Sequence, residues 1–99
     1  MNYTYIFQPL ALAEYKDGVF WYKERSEKAA INFVIAINER IAKICLNPLL
    51  YRNIYEHFRE TSLKKYPYCI VYFIDEDKKI IIISSVYHHK RNPKKKYRK

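Results

Sequence analysis

Two adjacent histidines, His88 and His89, precede Arg91 near the end of this 99-residue chain, and Tyr97 follows. Residues of these types can cleave RNA without a metal. A base must take the 2′-hydroxyl proton, fixed positive charge must hold the phosphorane, and an acid must protonate the leaving 5′-oxygen. Histidine suits either proton role because its pKa lies near neutrality. Arginine suits the phosphate because its planar fork binds two oxygens at once. If the chain is a ribonuclease, His88 (or His89), Arg91, Arg59 and Tyr97 are its candidate catalytic residues. Lys64, Lys65, His89, Lys90, Lys94, Lys95 and Lys96 are candidates for binding nucleic acid or another target. Plainer readings stand beside these. Paired histidines at a strand end are often exposed polar residues, Arg59 can be an ordinary strand cation, and Lys94 to Lys96 can make only diffuse electrostatic contacts.

The rest of the composition narrows the classes. A single glycine, Gly18, leaves no glycine-rich loop for a dinucleotide or nucleoside triphosphate. Cys45 and Cys69 lie far apart without metal-ligand spacing and read as free, buried thiols, so neither a metal nor any other cofactor is expected. No apolar run approaches a membrane span, and the N-terminus lacks the basic and apolar regions of a signal peptide. A cytoplasmic protein with no membrane partner is expected. The formal net charge is +9, and the stretch from Tyr87 to Lys99 holds no acid. Such a block draws polyanions, whether nucleic acid, an acidic protein segment or a membrane surface, and its plainer reading is a solvated tail that only aids solubility.

Hydrophobic residues make up 49% of the chain, enough for one compact domain. We place that domain at residues 1–93, with a basic tail at 94–99. Tyr3 to Phe7 is short, aromatic and β-branched and ends near Pro9, which predicts a strand followed by a helix. Leu12, Tyr15, Val19 and Tyr22 recur at helical spacing. Ser26 reads as the cap of a second helix running to about Asn47, with Ala30, Phe33, Ile37, Ile41 and Ile44 on one face and Glu39, Arg40 and Lys43 elsewhere. Three strands then follow. The first, about His57 to Lys65, reads as exposed. The second, Tyr68 to Asp75, is apolar on both faces and therefore central. The third runs from Lys79 to Tyr87. Tyr66, Tyr68, Tyr72 and Tyr87 read as packing rather than base-stacking residues. The prediction is an α+β domain, β-α-α-β-β-β, with a helical hairpin on one face of a mostly antiparallel four-stranded sheet. The last three strands should form a meander, with the first on one edge.

Three segments resemble the RelE/ParE superfamily of type II toxins. Phe20 to Pro48, with its Trp21-Tyr22 pair, is similar to the family's helical hairpin. Arg59 followed by Pro67-Tyr68-Cys69-Ile70-Val71-Tyr72 is similar to its arginine and "PY-x-I-x-Y" strand. Val86-Tyr87-His88-His89-Lys90-Arg91-Asn92-Pro93 resembles the motif that closes the last strand. The resemblance implies a cognate antitoxin as partner. It also implies one of two targets: messenger RNA in the ribosome for RelE-like members, or DNA gyrase for ParE-like members. The separation of Arg91 and Tyr97 matches that of an arginine and a functional tyrosine in RelE-like nucleases.

Departures point toward the ParE-like branch. RelE-like nucleases carry an arginine where this chain has Cys69, and lysines where it has Glu60 and Ser62. The forms "PY-x-I-x-Y" and "H-x-x-R" are also commoner in ParE-like members. The leading expectation is therefore a growth-arresting toxin acting on a nucleic-acid-processing target such as gyrase. The alternatives are a ribosome-dependent endoribonuclease and a basic nucleic-acid-binding domain with no toxic role.

Overall fold

The computed structural model describes residues 3–90. A first strand, β1 (Thr4–Phe7), leads into α1 (Pro9–Lys23), where Pro9 opens the helix at a position that needs no amide hydrogen. The second helix, α2 (Glu27–Leu46), starts at Ser26, whose side chain accepts the Ala29 amide at 2.9 Å. Ala30, Phe33, Ile37, Ile41 and Ile44 are all buried, so the predicted stripe is the core face of α2. Gly18 has a packing reason. A Cβ there would lie 2.9 Å from Phe33 Cε2 and 3.2 Å from the Tyr68 hydroxyl, so the missing side chain lets α1 approach α2 and the sheet.

The sheet has five strands rather than the predicted four. A short strand, β2 (Arg52–Tyr55), pairs antiparallel with β3 (Phe58–Ser62) across a tight turn in which Glu56 takes φ 49°. Four residues, RNIY, carry too little alternation to be read as a strand from sequence. The predicted exposed strand is also shorter than expected, and Phe58 and Thr61 within it are buried. After β3 come β4 (Tyr68–Asp75) and β5 (Ile80–His88). The order is β1-β5-β4-β3-β2: β5, β4, β3 and β2 are antiparallel neighbours, and β1 lies parallel to β5 at the edge.

Alternation along the strands makes two apolar clusters. Tyr68, Ile70, Tyr72, Ile81, Ile83 and Val86 join the buried residues of α1 and α2 in the main core. Cys69, Val71, Phe58 and Tyr87 form a smaller cluster, with Ile54 and Phe73 packed beside it. Since side chains of successive strand residues point to opposite faces, this second cluster lies on the face turned away from the helices. A register shift between Val71 and Tyr72 leaves Ser84 as an extra residue of β5. Glu14 of α1 holds this bulge: one carboxylate oxygen accepts the Ser85 hydroxyl at 2.9 Å and the Val86 amide at 3.0 Å.

Candidate functional site

The last turn of β5 brings the two histidines to one end of the sheet and points them apart. His88 pairs with Tyr68 in the sheet, its ring meets the Tyr68 ring edge-on at 5.2 Å, and its Nδ1 accepts the Lys90 amide at 3.1 Å. His89 donates its amide to the Pro67 carbonyl at 2.8 Å and sets its Nε2 3.1 Å from the Cys69 Sγ. Arg91, Lys94, Lys95, Lys96 and Tyr97 lie outside the described residues, and the tail boundary with them. Lys90 is exposed at the end of the described chain.

Arg59 is not drawn to the histidines. It pairs with Tyr72, four residues along β4 from Tyr68, which is about 13 Å of strand. The strand β4 also lies between Arg59 and His88. The Arg59 guanidinium donates to the main-chain carbonyls of Tyr51 at 2.8 Å and Leu49 at 3.4 Å. It thereby fixes the connection between α2 and β2. The Tyr72 hydroxyl does the same nearby, donating to the Pro48 carbonyl at 2.6 Å. Burial pushes the Tyr72 phenol well above its ordinary value, against a smaller lowering by Arg59. Tyr68, Tyr72 and Tyr87 are all buried, in keeping with their reading as packing residues.

The positions where this chain departs from a RelE-like nuclease gather into one patch on the face of the sheet turned away from the helices, where Cys69 and Tyr87 are buried. Ser62 pairs with Cys69, and Cys69 pairs with Tyr87. Glu60 lies two residues before Ser62 on the same face. The Cys69 Sγ sits 3.1 Å from the Ser62 Oγ as well as from His89. The Tyr87 hydroxyl donates to Glu60 Oε1 at 3.2 Å, and Arg52 meets Glu60 Oε2 at 3.3 Å. The Glu60 side chain is only 11% exposed. Burial first, then Cys69 and Glu60, raise the Tyr87 phenol far above the ordinary range, so it stays protonated and donates to the carboxylate. The patch thus brings together a thiol, two hydroxyls and a carboxylate. Its guanidinium, Arg52, is already held by Glu60.

Sequence reasoning named Cys69, Glu60 and Ser62 as departures but did not see them as one cluster, because strand register is needed to bring positions 60, 62, 69 and 87 together. The Glu14 clamp left no sequence signal, being one of the two acids on α1, with Asp17. Lys64 and Lys65 are exposed on the β3–β4 connection, away from this patch, and line a cleft beside α2. Both cysteines are free and buried. Among the described residues no group of three His, Cys, Asp or Glu side chains could hold a metal ion, and no helix is long and apolar enough to cross a membrane.

Comparison with known proteins agrees with this architecture. The family described as "ParE toxin of type II toxin-antitoxin system, parDE" matches residues 5–93. Among solved structures, the chromosomal ParDE toxin–antitoxin system of P. aeruginosa is similar at 17% identity and a TM-score of 0.73, over 87% of this chain and 95% of that one. The isolated E. coli RelE toxin is similar at 15% identity and a TM-score of 0.62, over 92% and 88%. The toxin–antitoxin complex RelBE2 of Mycobacterium tuberculosis is similar at 17% identity and a TM-score of 0.56, over 89% and 99%. At these identities the likeness is one of fold. No curated protein is similar enough to this sequence to count as a match.

Proposed function

Because the chain belongs to the ParE toxin family of type II toxin–antitoxin systems, we propose that it arrests bacterial growth by inhibiting a nucleic-acid-processing target of the DNA gyrase kind, and that a cognate antitoxin neutralises it. One observation carries the choice of target. Glu60, Ser62 and Cys69 share a patch with Tyr87 in which the carboxylate pairs with the guanidinium of Arg52, so among the described residues no unpaired Lys or Arg stands at it. A toxin with such a face acts by binding rather than by hydrolysis.

The second reading is a metal-independent, ribosome-dependent endoribonuclease. It is favoured by the histidines at the end of β5, one of them hydrogen-bonded to a thiol. It would draw its phosphate-binding charge from Arg91 and the residues after it, with Tyr97 in support. Controlled expression in bacteria, with and without the neighbouring gene, separates the two. The binding reading expects growth arrest with induction of the DNA-damage response and intact messenger RNA, relieved by the neighbouring gene product. Codon-spaced cuts in messenger RNA would assign the chain to the nuclease reading. Expression without any growth arrest would remove both.

A further inference from the structure

The patch of Glu60 and Cys69 uses none of the cations beside α2. Lys64 and Lys65, on the β3–β4 connection, line a groove of about 520 Å³ together with residues of that helix. Arg40 and Lys43 line it from the helix side, three residues apart and therefore on one helix face. The groove thus holds four cations against one carboxylate, Glu39. None of the four cations forms an ion pair among the described residues, although Arg40 also lies 5.9 Å from the centre of the Tyr51 ring. The C-terminal end of α2 adds only about half a negative charge. Like charges gathered around one hollow repel one another, and an anion set among them relieves that repulsion.

We infer that this groove binds an oligophosphate, a ligand that packs several negative charges into a short chain of phosphoryl groups. Size, charge and chemistry select it. A volume of about 520 Å³ suits a small molecule, since such sites typically enclose about 300–1,000 Å³. An arginine fork takes two phosphate oxygens at once, and lysine adds a point charge. A peptide carries its carboxylates singly along a backbone, whereas here four cations share one hollow. Recognition falls on the phosphates rather than on a base. Bases bind to aromatic rings that stand free as stacking platforms. The Tyr66 ring is instead tied into the main core by T-shaped contacts with Tyr22 at 5.4 Å and Phe33 at 5.5 Å. An inorganic chain and the phosphate tail of a nucleotide share this chemistry, and the experiment separates them. The inference goes beyond the toxin reading and does not depend on the toxin's target.

The test titrates the full-length chain with sodium tripolyphosphate. Calorimetry reads the affinity at low and high salt, and the amide resonances of residues 63–66 read the place. Binding should be one to one and should weaken about tenfold as salt screens the contacts. Lys64→Gln with Lys65→Gln should weaken it about tenfold, and Lys43→Gln about threefold. Lys16→Gln with Lys78→Gln removes two charges from exposed positions outside the groove and should leave the affinity within twofold. The basic tail is the natural rival for any polyanion, so Lys94→Gln, Lys95→Gln and Lys96→Gln are made together; affinity should stay within threefold, with the same resonances shifted. The groove lysines are exposed, so these variants should melt near wild type. ATP binding as well as tripolyphosphate, with adenosine not binding, would admit the nucleotide tail as a source; tripolyphosphate binding alone would name the inorganic chain. ATP binding without tripolyphosphate would make the ligand a nucleoside and overturn the inference. Equal weakening by the two lysine pairs, or loss of binding with the tail charges, would reduce the effect to diffuse attraction and overturn the groove as a site. A single-stranded RNA oligonucleotide that shifts the same resonances and binds more than tenfold tighter would assign the groove to nucleic acid, with the same result.

Discussion

Arg59, a candidate phosphate ligand only if the chain is a ribonuclease and otherwise an ordinary strand cation, bonds to the main chain in this structure. Its guanidinium serves two main-chain carbonyls in the Leu49–Tyr51 connection. Arg59→Ala would leave both without their donor, at a cost of about 1–3 kcal/mol for a partly buried group. The urea midpoint should fall accordingly, and growth arrest should fall only with the folded fraction; an unchanged midpoint would return Arg59 to the list of free cations. The side-chain type was legible in the sequence, but its face was not, because register decides which side of β3 it occupies. Tyr72 gives a second check. Its phenol is raised above the ordinary value by burial, while in the unfolded chain it ionises near pH 10. A folded pKa above the unfolded one means stability that is fully present below about pH 10 and is lost as pH rises beyond it, by up to about 1.4 kcal/mol per pH unit. Burial raises Tyr87 in the same direction. Tyr72→Phe should lower stability at pH 8 through the lost bond to Pro48, yet reduce the further loss between pH 10 and 11. Equal losses in variant and wild type over that interval would contradict the assignment.

The helices were the most legible elements. Both carry long apolar periodicities, and α2 has Ser26 as a start signal and Pro48 just past its end. Phe33 shows why that stripe matters: it is fully buried, with the rings of Tyr15, Tyr22, Tyr66 and Tyr68 around it at 4.9–6.3 Å. Phe33→Ala should cost about 3–5 kcal/mol, a large share of the about 5–15 kcal/mol that holds a small domain together. Gly18→Ala should also destabilise, although alanine favours a helix by about 1 kcal/mol. The new methyl would meet Phe33 at 2.9 Å, and the rings around Phe33 leave it little room to retreat. Thermal unfolding of both variants is the measurement; a Gly18→Ala protein melting above wild type would show that Phe33 can yield. Strands were less legible where they were short. The strand β2 has four residues, and its pairing depends on a turn through Glu56 at positive φ, a conformation that glutamate does not advertise. The bulge in β5 was equally silent, since Ser84 and Ser85 look like a polar interruption until Glu14 is found across from them.

At the scale of the whole molecule, two faces divide the labour. The helical side carries the main core and a groove beside α2, and the opposite face of the sheet carries the patch of Glu60, Ser62, Cys69 and Tyr87. The formal charge of +9 steers the chain toward acidic partners, yet none of it stands free at that patch among the described residues. The fold is shared with RelE toxins, and the face of the sheet turned away from the helices carries a thiol, hydroxyls and a paired carboxylate. The most direct measurement sets purified full-length chain against two substrates in parallel, ribosomes programmed with messenger RNA and DNA gyrase with relaxed plasmid. The account predicts uncut messenger RNA and a loss of gyrase supercoiling from the same preparation. Cleavage of messenger RNA in the ribosomal A site, with gyrase unaffected, would contradict it.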